Sequence, residues 1–320
     1  MLARSLRSCA AIIMVLVYFA ASAHAAEIRC ASIYGEKRLP EFPGGTRIPE
    51  DIVQRLWPSG VRPTPDTCKV AFIHGDIVKG DYETFIALYK NNHPFLDQVW
   101  LDSRGGDVDE AIKIGRLFRK YLITAVSPSQ MVVGGRFMDQ IQMNYRTGKT
   151  EPCFEDCRSL CASSCALIWF GAPDRAGDIG LHRPRTDDPA FKALSAAEAA
   201  TAYRRMLDEI VRYLEEMETP RPMIDAMVST GSAEIRWIRQ IDHMDADDSV
   251  NLAPSFAEWV DASCGQFTSQ ETEKMMNLQG RKNLSQTDEL LSKLLYEKYS
   301  KKDVCRMELI SSHRDRLPLP

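Results

Sequence analysis

The spacing of apolar positions changes period several times along the chain, and each change predicts an element. Val70-Ala71-Phe72-Ile73-His74-Gly75 is a compact apolar run closed by glycine, the pattern of a buried strand. Tyr82 to Tyr89 then carries helical periodicity, and Gln98-Val99-Trp100-Leu101-Asp102 reads as a second strand. Strand, helix and strand in succession imply a parallel pair, because parallel neighbours need a crossover of this length. The second strand runs into Ser103-Arg104-Gly105-Gly106 and feeds a helix from Val108 to about Leu122, with Val108, Ala111, Ile112, Gly115 and Phe118 on one stripe. Ile123-Thr124-Ala125-Val126 is the third strand. Repeated alternation of this kind predicts an α/β domain with helices packed on a largely parallel sheet.

Residues 127–160 break that rhythm. Gly134-Gly135, Arg146-Thr147-Gly148-Lys149 and two cysteines mark an insertion or hairpin, and a connection this long is commonly functional. The buried-helix pattern returns from Ala162 to Phe170, and Ile179-Gly180-Leu181-His182 reads as a short strand ending in histidine. Ser195 and Glu198 form a capping box that opens a helix with Tyr203, Met206, Leu207, Ile210, Val211, Leu214 and Met217 on one core-facing stripe. Pro220 and Pro222 end it. Residues 264–320 are polar and helical, with Leu290, Leu291, Leu294 and Leu295 as apolar positions and a frayed Leu317-Pro318-Leu319-Pro320 end. Residues 26–67 hold many prolines and turn formers and read as an irregular lead-in, with a short helix from Pro49 to Leu56. The expected division is 1–25, 26–67, an α/β domain at 68–262 carrying the insertion, and a helical C-terminal appendage at 263–320.

The first segment has its own explanation. Arg4 and Arg7 precede an apolar run from Ala10 to Ala21, and Ala23-His24-Ala25 follows, the three-part layout of a secretory signal peptide with cleavage expected after Ala25. About 20 apolar residues are needed to span a bilayer, and this run is shorter. The expectation is a periplasmic or secreted protein with no stable membrane insertion after cleavage. Cys9 leaves with that segment, so eight of the nine cysteines remain, an even number that suits a disulfide-forming compartment. Distance along the chain suggests Cys30 with Cys68 and Cys264 with Cys305. Cys153, Cys157, Cys161 and Cys165 recur every fourth residue, which leaves disulfides, a buried reduced Cys165 or a four-thiolate zinc site as readings. Of these, export favours disulfides. A formal charge of −4 and the lack of any Lys/Arg run exclude a nucleic-acid footprint.

Three features separated in sequence converge if the crevice at the carboxyl ends of the parallel strands is the site. Gly105 and Gly106 follow a strand directly and leave backbone N–H groups bare, as an oxyanion hole requires. Ser163 stands at the start of a buried helix, where free N–H groups and the macrodipole favour developing negative charge. His182, at a strand end, is positioned to accept a serine proton. Neither glycine pair has the spacing of a phosphate loop or dinucleotide fingerprint, so no cofactor is expected. His243 beside Asp245 and Asp247 reads as a solvated acidic loop rather than a metal site.

Phe72-Ile73-His74-Gly75-Asp76-Ile77, Leu101-Asp102-Ser103-Arg104-Gly105-Gly106-Asp107-Val108, Cys161-Ala162-Ser163-Ser164-Cys165-Ala166 and Ile179-Gly180-Leu181-His182-Arg183-Pro184 together resemble the Clp protease proteolytic subunit (ClpP) and the ClpP/crotonase superfamily, particularly its exported bacterial members, over about residues 68–252. The resemblance implies a ClpP/crotonase-like spiral α/β fold. It makes Ser163 the nucleophile, with Ser164 as the alternative, and His182 the general base. The Gly105 and Ser164 N–H groups, with Gly106 adjoining, then form the oxyanion hole. The family's aspartate falls near Ser232-Ala233-Glu234-Ile235-Arg236-Trp237, where Glu234 stands instead, with Asp242, Asp245 and Asp247 further on. Arg104 replaces the family's proline before the glycines. The implied activity is a periplasmic serine hydrolase, a peptidase acting on peptide or protein substrates without metal or nucleotide. The missing aspartate supports a catalytically weak or inactive peptide-binding or assembly module as the alternative. Crotonase-type thioester chemistry is a third reading, which export disfavours. Rings formed in the family raise a homo-oligomer.

Overall fold

The computed structural model describes residues 25–33, 63–64, 66–128, the short strands within 131–152, and residues 159–185, 189–239, 250–279, 281 and 283–320. The signal-like segment up to residue 24, the expected 49–56 helix, Cys153, Cys157 and the acidic loop with Asp242, His243, Asp245 and Asp247 lie outside the described residues.

Strands β1 (Glu27–Ile33), β2 (Cys68–His74), β3 (Gln98–Asp102), β4 (Thr124–Val126) and a later strand at Arg175–Ala176 form one sheet in that order. All pairs but the first are parallel, with Val70 opposite Gln98, His74 opposite Asp102 and Val99 opposite Ala125. Helices α1 (Asp81–Asn92) and α2 (Val108–Tyr121) make the crossovers that the sequence pattern requires. Strand alternation sends Ala71, Ile73, Val99, Leu101 and Ala125 to one face, where they meet Phe85, Tyr89, Ile112 and Phe118 in a continuous core. The chain is therefore a mixed α/β protein with a mostly parallel central sheet.

Glu110 ties the two crossovers together. Its carboxylate accepts from the Gly80 and Tyr82 N–H groups at 3.0 Å, capping α1, and from Lys113 Nζ at 2.8 Å. Burial alone would raise its pKa, but the Lys113 hydrogen bond and the two backbone donors outweigh it and hold the carboxyl below its ordinary value. Asp107 caps α2, its side chain accepting from the Glu110 N–H at 3.0 Å, so the residue after Gly106 is fixed by the helix it opens.

Within the insertion, β5 (Met131–Val133) pairs with β6 (Arg136–Met138) and β7 (Ile141–Asn144) with β8 (Lys149–Pro152), two antiparallel hairpin pairings. Helix α3 (Ser164–Gly171) is buried along its whole length and packs closely on α2 where Gly115 faces Gly171. After β9 (Arg175–Ala176) and β10 (Ile179–Leu181) come the short α4 (Pro189–Lys192), α5 (Ala196–Glu216) and α6 (Arg221–Ser229). The Ser195–Glu198 capping box is present. Strand β11 (Arg236–Ile238) follows, then α7 (Pro254–Cys264), α8 (Ser269–Gln279) and α9 (Gln286–Arg316).

Three expectations need correction. Residues 27–33 are not part of an irregular lead-in; they pair antiparallel with β2, and the Cys30–Cys68 disulfide joins the two strands. The stripe on α5 is fully buried only toward its end, through Ile210, Tyr213, Leu214 and Met217, while Met206 and Val211 pack on the core partly buried. The last residues are anchored, not frayed: Pro318 O accepts from Tyr121 Oη at 2.6 Å, and Leu317 packs on the core. Just before them, the buried Arg314 donates to Tyr121 O at 2.7 Å, Leu122 O at 2.8 Å, Pro94 O at 3.3 Å and Asp97 Oδ1 at 2.6 Å. The appendage is thus fastened at its far end by a guanidinium, and the Cys264–Cys305 disulfide joins α7 to α9. Among the described residues no helix is long and apolar enough to cross a membrane.

Arg314→Ala leaves three carbonyls without their donor and is expected to cost about 3 kcal/mol by urea unfolding. The stabilisation from Glu110 is fully present above about pH 4.3, where its unfolded carboxyl titrates, and is lost as pH falls through the lower folded value. Unfolding measured against pH is expected to show the wild-type advantage over Glu110→Gln shrinking in that acid range and constant above it.

Candidate active site

Beyond the carboxyl ends of β2 and β3 the sheet continues as single steps. Ile77 bridges Gly106, Ser103 bridges Cys161, and Ala162 bridges Gly180, all in parallel sense. The Ser103 N–H donates to Leu160 O at 2.7 Å and the Ala162 N–H to Ser103 O at 3.0 Å. On the other side the Gly180 N–H donates to Cys161 O at 2.8 Å and the Ser163 N–H to Gly180 O at 3.0 Å. The segment before α3 is thereby clamped between the Ser103–Gly106 turn and the β10 strand that leads to His182. Asp102 fixes where this segment begins. Its buried carboxylate accepts from the Leu160 N–H at 2.9 Å and Ser159 Oγ at 3.0 Å, and lies 3.0 Å from His74 Nδ1.

At the end of the clamped segment Ser163 adopts φ 59° and ψ −127°, a conformation natural to glycine and strained for any side chain. The Ser163 side chain makes no cap hydrogen bond although the residue precedes the first turn of α3. A strained serine on a turn that leads into a helix is a geometry also met in nucleophile elbows. Gly105 explains the fit, since a Cβ there would lie 2.7 Å from Ser163 Cβ and 2.9 Å from Ser164 N. At Gly106, with φ +140°, a Cβ would overlap Ile77 O.

The backbone donors do not all behave as expected. The Gly105 N–H is occupied, donating to Ser103 Oγ at 3.0 Å, so Gly105 contributes its missing side chain rather than its amide. The N–H groups of Gly106, which is exposed, and of Ser164, at the first position of α3, have no acceptor among the described residues. Ser164 Oγ is buried without a hydrogen-bond partner, which sets it apart from the half-buried Ser163.

His182 is half-buried, and its Nδ1 lies 2.8 Å from Arg183 O. A carbonyl only accepts, so Nδ1 carries a proton, and Nε2 has no hydrogen-bond partner among the described residues. The Arg183 N–H donates to Thr230 O at 3.0 Å and steadies that carbonyl. No direct hydrogen bond joins Ser163 to His182 in this conformation; they are linked through Gly180, two residues before the imidazole. The structure does not bring Glu234 onto the His182 ring. Glu234 is exposed, with its N–H donating to Gly231 O at 2.9 Å. The Arg183 carbonyl, which carries no side-chain signal in sequence, occupies the position on Nδ1 that a carboxylate would take.

Strand β11 lies beside the same segment, pairing Gly180 with Trp237 and Leu181 with Arg236. Ile235 and Trp237 flank Gly180 closely yet stay 44% and 40% exposed, an exposed apolar pair next to the residue that accepts from the Ser163 N–H. The alternation of Ile235-Arg236-Trp237-Ile238 is the sequence signal for it. Cys161 and Cys165, both fully buried, are disulfide-bonded across the Ser163 turn. Among the described residues no group of three His, Cys, Asp or Glu side chains is arranged to hold a metal ion.

No family model matches this chain, and no curated protein does. Among solved structures, a ClpP1 mutant from Listeria monocytogenes is similar at 15% identity, with a TM-score of 0.36, over 55% of this chain and 86% of that chain.

Ser164→Ala removes a buried hydroxyl that has no partner and is expected to leave stability unchanged or raised by up to about 1 kcal/mol. Because glycine relieves the backbone strain at residue 163 and alanine keeps it, Ser163→Gly is expected to be more stable than Ser163→Ala by about 1 kcal/mol in urea unfolding.

Proposed function

We propose that the chain is a ClpP-like periplasmic serine hydrolase, acting as a peptidase, with Ser163 as nucleophile and His182 as general base. The observation that carries this reading is the strained Ser163 backbone, at φ 59°, beside two N–H groups left without acceptors, those of Gly106 and Ser164. Strain at a half-buried serine is kept only where neighbouring structure enforces it, and the two nearby amides without acceptors support reading the turn as a nucleophile beside an oxyanion site.

In the proposed reaction Ser163 Oγ attacks the substrate carbonyl carbon as its proton passes to His182 Nε2. The carbonyl oxygen becomes an oxyanion held by the Gly106 and Ser164 N–H groups, reinforced by the N-terminus of α3. Collapse of the tetrahedral intermediate breaks the C–N bond, and His182 returns the proton to the leaving amine. Water then attacks the acyl-enzyme with His182 again taking a proton, releasing the acid and restoring Ser163. His182 must rotate toward Ser163 in the substrate complex, a tightening common where the free enzyme has a loose catalytic pair. Ile235 and Trp237 offer an apolar surface to the substrate beside the scissile bond. Among the described residues, three cysteine pairs at bonding distance suit an oxidising compartment and support export.

One observation favours a second reading. His182 has a carbonyl rather than a carboxylate on Nδ1, and replacing the orienting acid in a serine triad costs about 10⁴ in turnover. A catalytically weak or inactive ClpP-like module that binds peptides, or assembles as a homo-oligomer, fits that arrangement.

The test is covalent labelling of the oxidised protein by a fluorophosphonate, with the adduct mapped by mass spectrometry. The expected result is one adduct on Ser163, absent in Ser163→Ala, strongly slowed in His182→Ala and retained in Ser164→Ala. Glu234→Gln is expected to label within about threefold of wild type, because its carboxylate does not orient the imidazole. A folded wild type without an adduct on Ser163 favours the binding module.

A further inference from the structure

We infer that the Cys161–Cys165 disulfide is a positioning brace for the nucleophile, holding Ser163 in its strained conformation and in line with the oxyanion donors. The inference rests on the reading of Ser163 as nucleophile and adds the means by which its geometry is kept.

The bond encloses Ala162, Ser163 and Ser164, the residues that form the turn and supply one of the two donors. One end, Cys161, belongs to the clamped segment, fixed to Ser103 on one side and Gly180 on the other. The other end, Cys165, lies in the first turn of α3, where its N–H donates to Ala162 O at 3.1 Å. The disulfide thus joins the segment entering the elbow to the helix leaving it. A serine at φ 59° and ψ −127° relaxes to ordinary backbone angles unless both sides of the turn are held. Such relaxation swings Oγ away from the crevice and turns the Ser164 N–H out of line with that of Gly106.

Ring size separates this bond from the other two. Those close loops with sequence separations of 38 and 41, whereas this one spans only 4. The entropy that a crosslink removes from the unfolded chain grows with loop length, so the short ring adds least to global stability. Its contribution is local. Both cysteines are fully buried, so neither sulfur is exposed to the crevice as a competing nucleophile.

The experiment compares the oxidised full chain with Cys161→Ala/Cys165→Ala and, as a control lacking a disulfide remote from the elbow, Cys264→Ala/Cys305→Ala. Fluorophosphonate labelling at Ser163 is resolved into a reversible binding constant and an inactivation rate constant. Removing the brace is expected to lower the inactivation rate constant about 10²-fold with little change in binding. The control is expected to stay within about twofold. Hydrogen exchange is expected to quicken in the peptide covering residues 159–168 of the brace variant and nowhere else in the α/β core. If the alanine pair does not fold, Cys161→Val/Cys165→Ala, which refills the buried volume, is measured in its place. A folded brace variant that labels at the wild-type rate, with exchange at 159–168 unchanged, overturns the brace and leaves the hydrolase reading intact. Wild type that is folded but carries no adduct on Ser163 overturns the hydrolase reading, and the catalytic role of the brace with it.

Discussion

Residues 159–164 are held by the backbones and side chains of several neighbours at once, and the geometry of the crevice depends on that clamp. Asp102 seizes Ser159 and Leu160, Ser103 brackets Cys161, and Gly180 takes the Ser163 N–H. A strained residue costs about 1–3 kcal/mol, while a net hydrogen bond contributes about 0.5–1.5 kcal/mol. Several such bonds converge on the segment entering the turn, and the Cys161–Cys165 bond ties it to the helix that leaves, so together the surroundings outweigh the strain and the turn keeps its shape. Gly105 and Gly106 are the complement of that shape, because a side chain at either collides with Ser163 or with Ile77.

The same clamp sets the balance of the proposed chemistry. The amides of Gly106 and Ser164 have no acceptor among the described residues, and α3 behind Ser164 is wholly buried, so in the proposed reaction charge developing on a substrate oxygen meets fixed dipoles. The base is less strongly supported. A carbonyl fixes the His182 tautomer but stabilises the imidazolium less than a carboxylate does. In the proposed reaction, oxyanion stabilisation is the better supported half and proton transfer the less supported.

Farther out, two charged residues tie elements together. Glu110 links the start of α1 to α2, accepting from the Gly80 and Tyr82 N–H groups and from Lys113. Arg314 reaches from the end of α9 to the Tyr121, Leu122 and Pro94 carbonyls and to Asp97. Most of these partners are backbone groups whose positions the sheet and helices already fix.

The sequence by itself determined the α/β alternation, the parallel crossovers and the order of the glycine pair, the serine and the histidine, because these follow from apolar period and local turn chemistry. The pairings of Cys30 with Cys68 and Cys264 with Cys305 were legible from their spacing. The strand at 27–33 was not, since its residues run straight into the proline-rich stretch that begins at Pro40 and are a strand by pairing with β2. Nor was the loss of the Gly105 amide to Ser103 Oγ, the inaccessibility of Ser164, the half-exposed start of α5 or the anchoring of Pro318. Glu234 was the acid that alignment pointed to, yet the imidazole turned to its neighbour's carbonyl. Which donor is free, which hydroxyl faces the crevice and which group holds a ring are matters of long-range packing, and only the tertiary structure, which forces each polar group to find a partner or go without one, decided them.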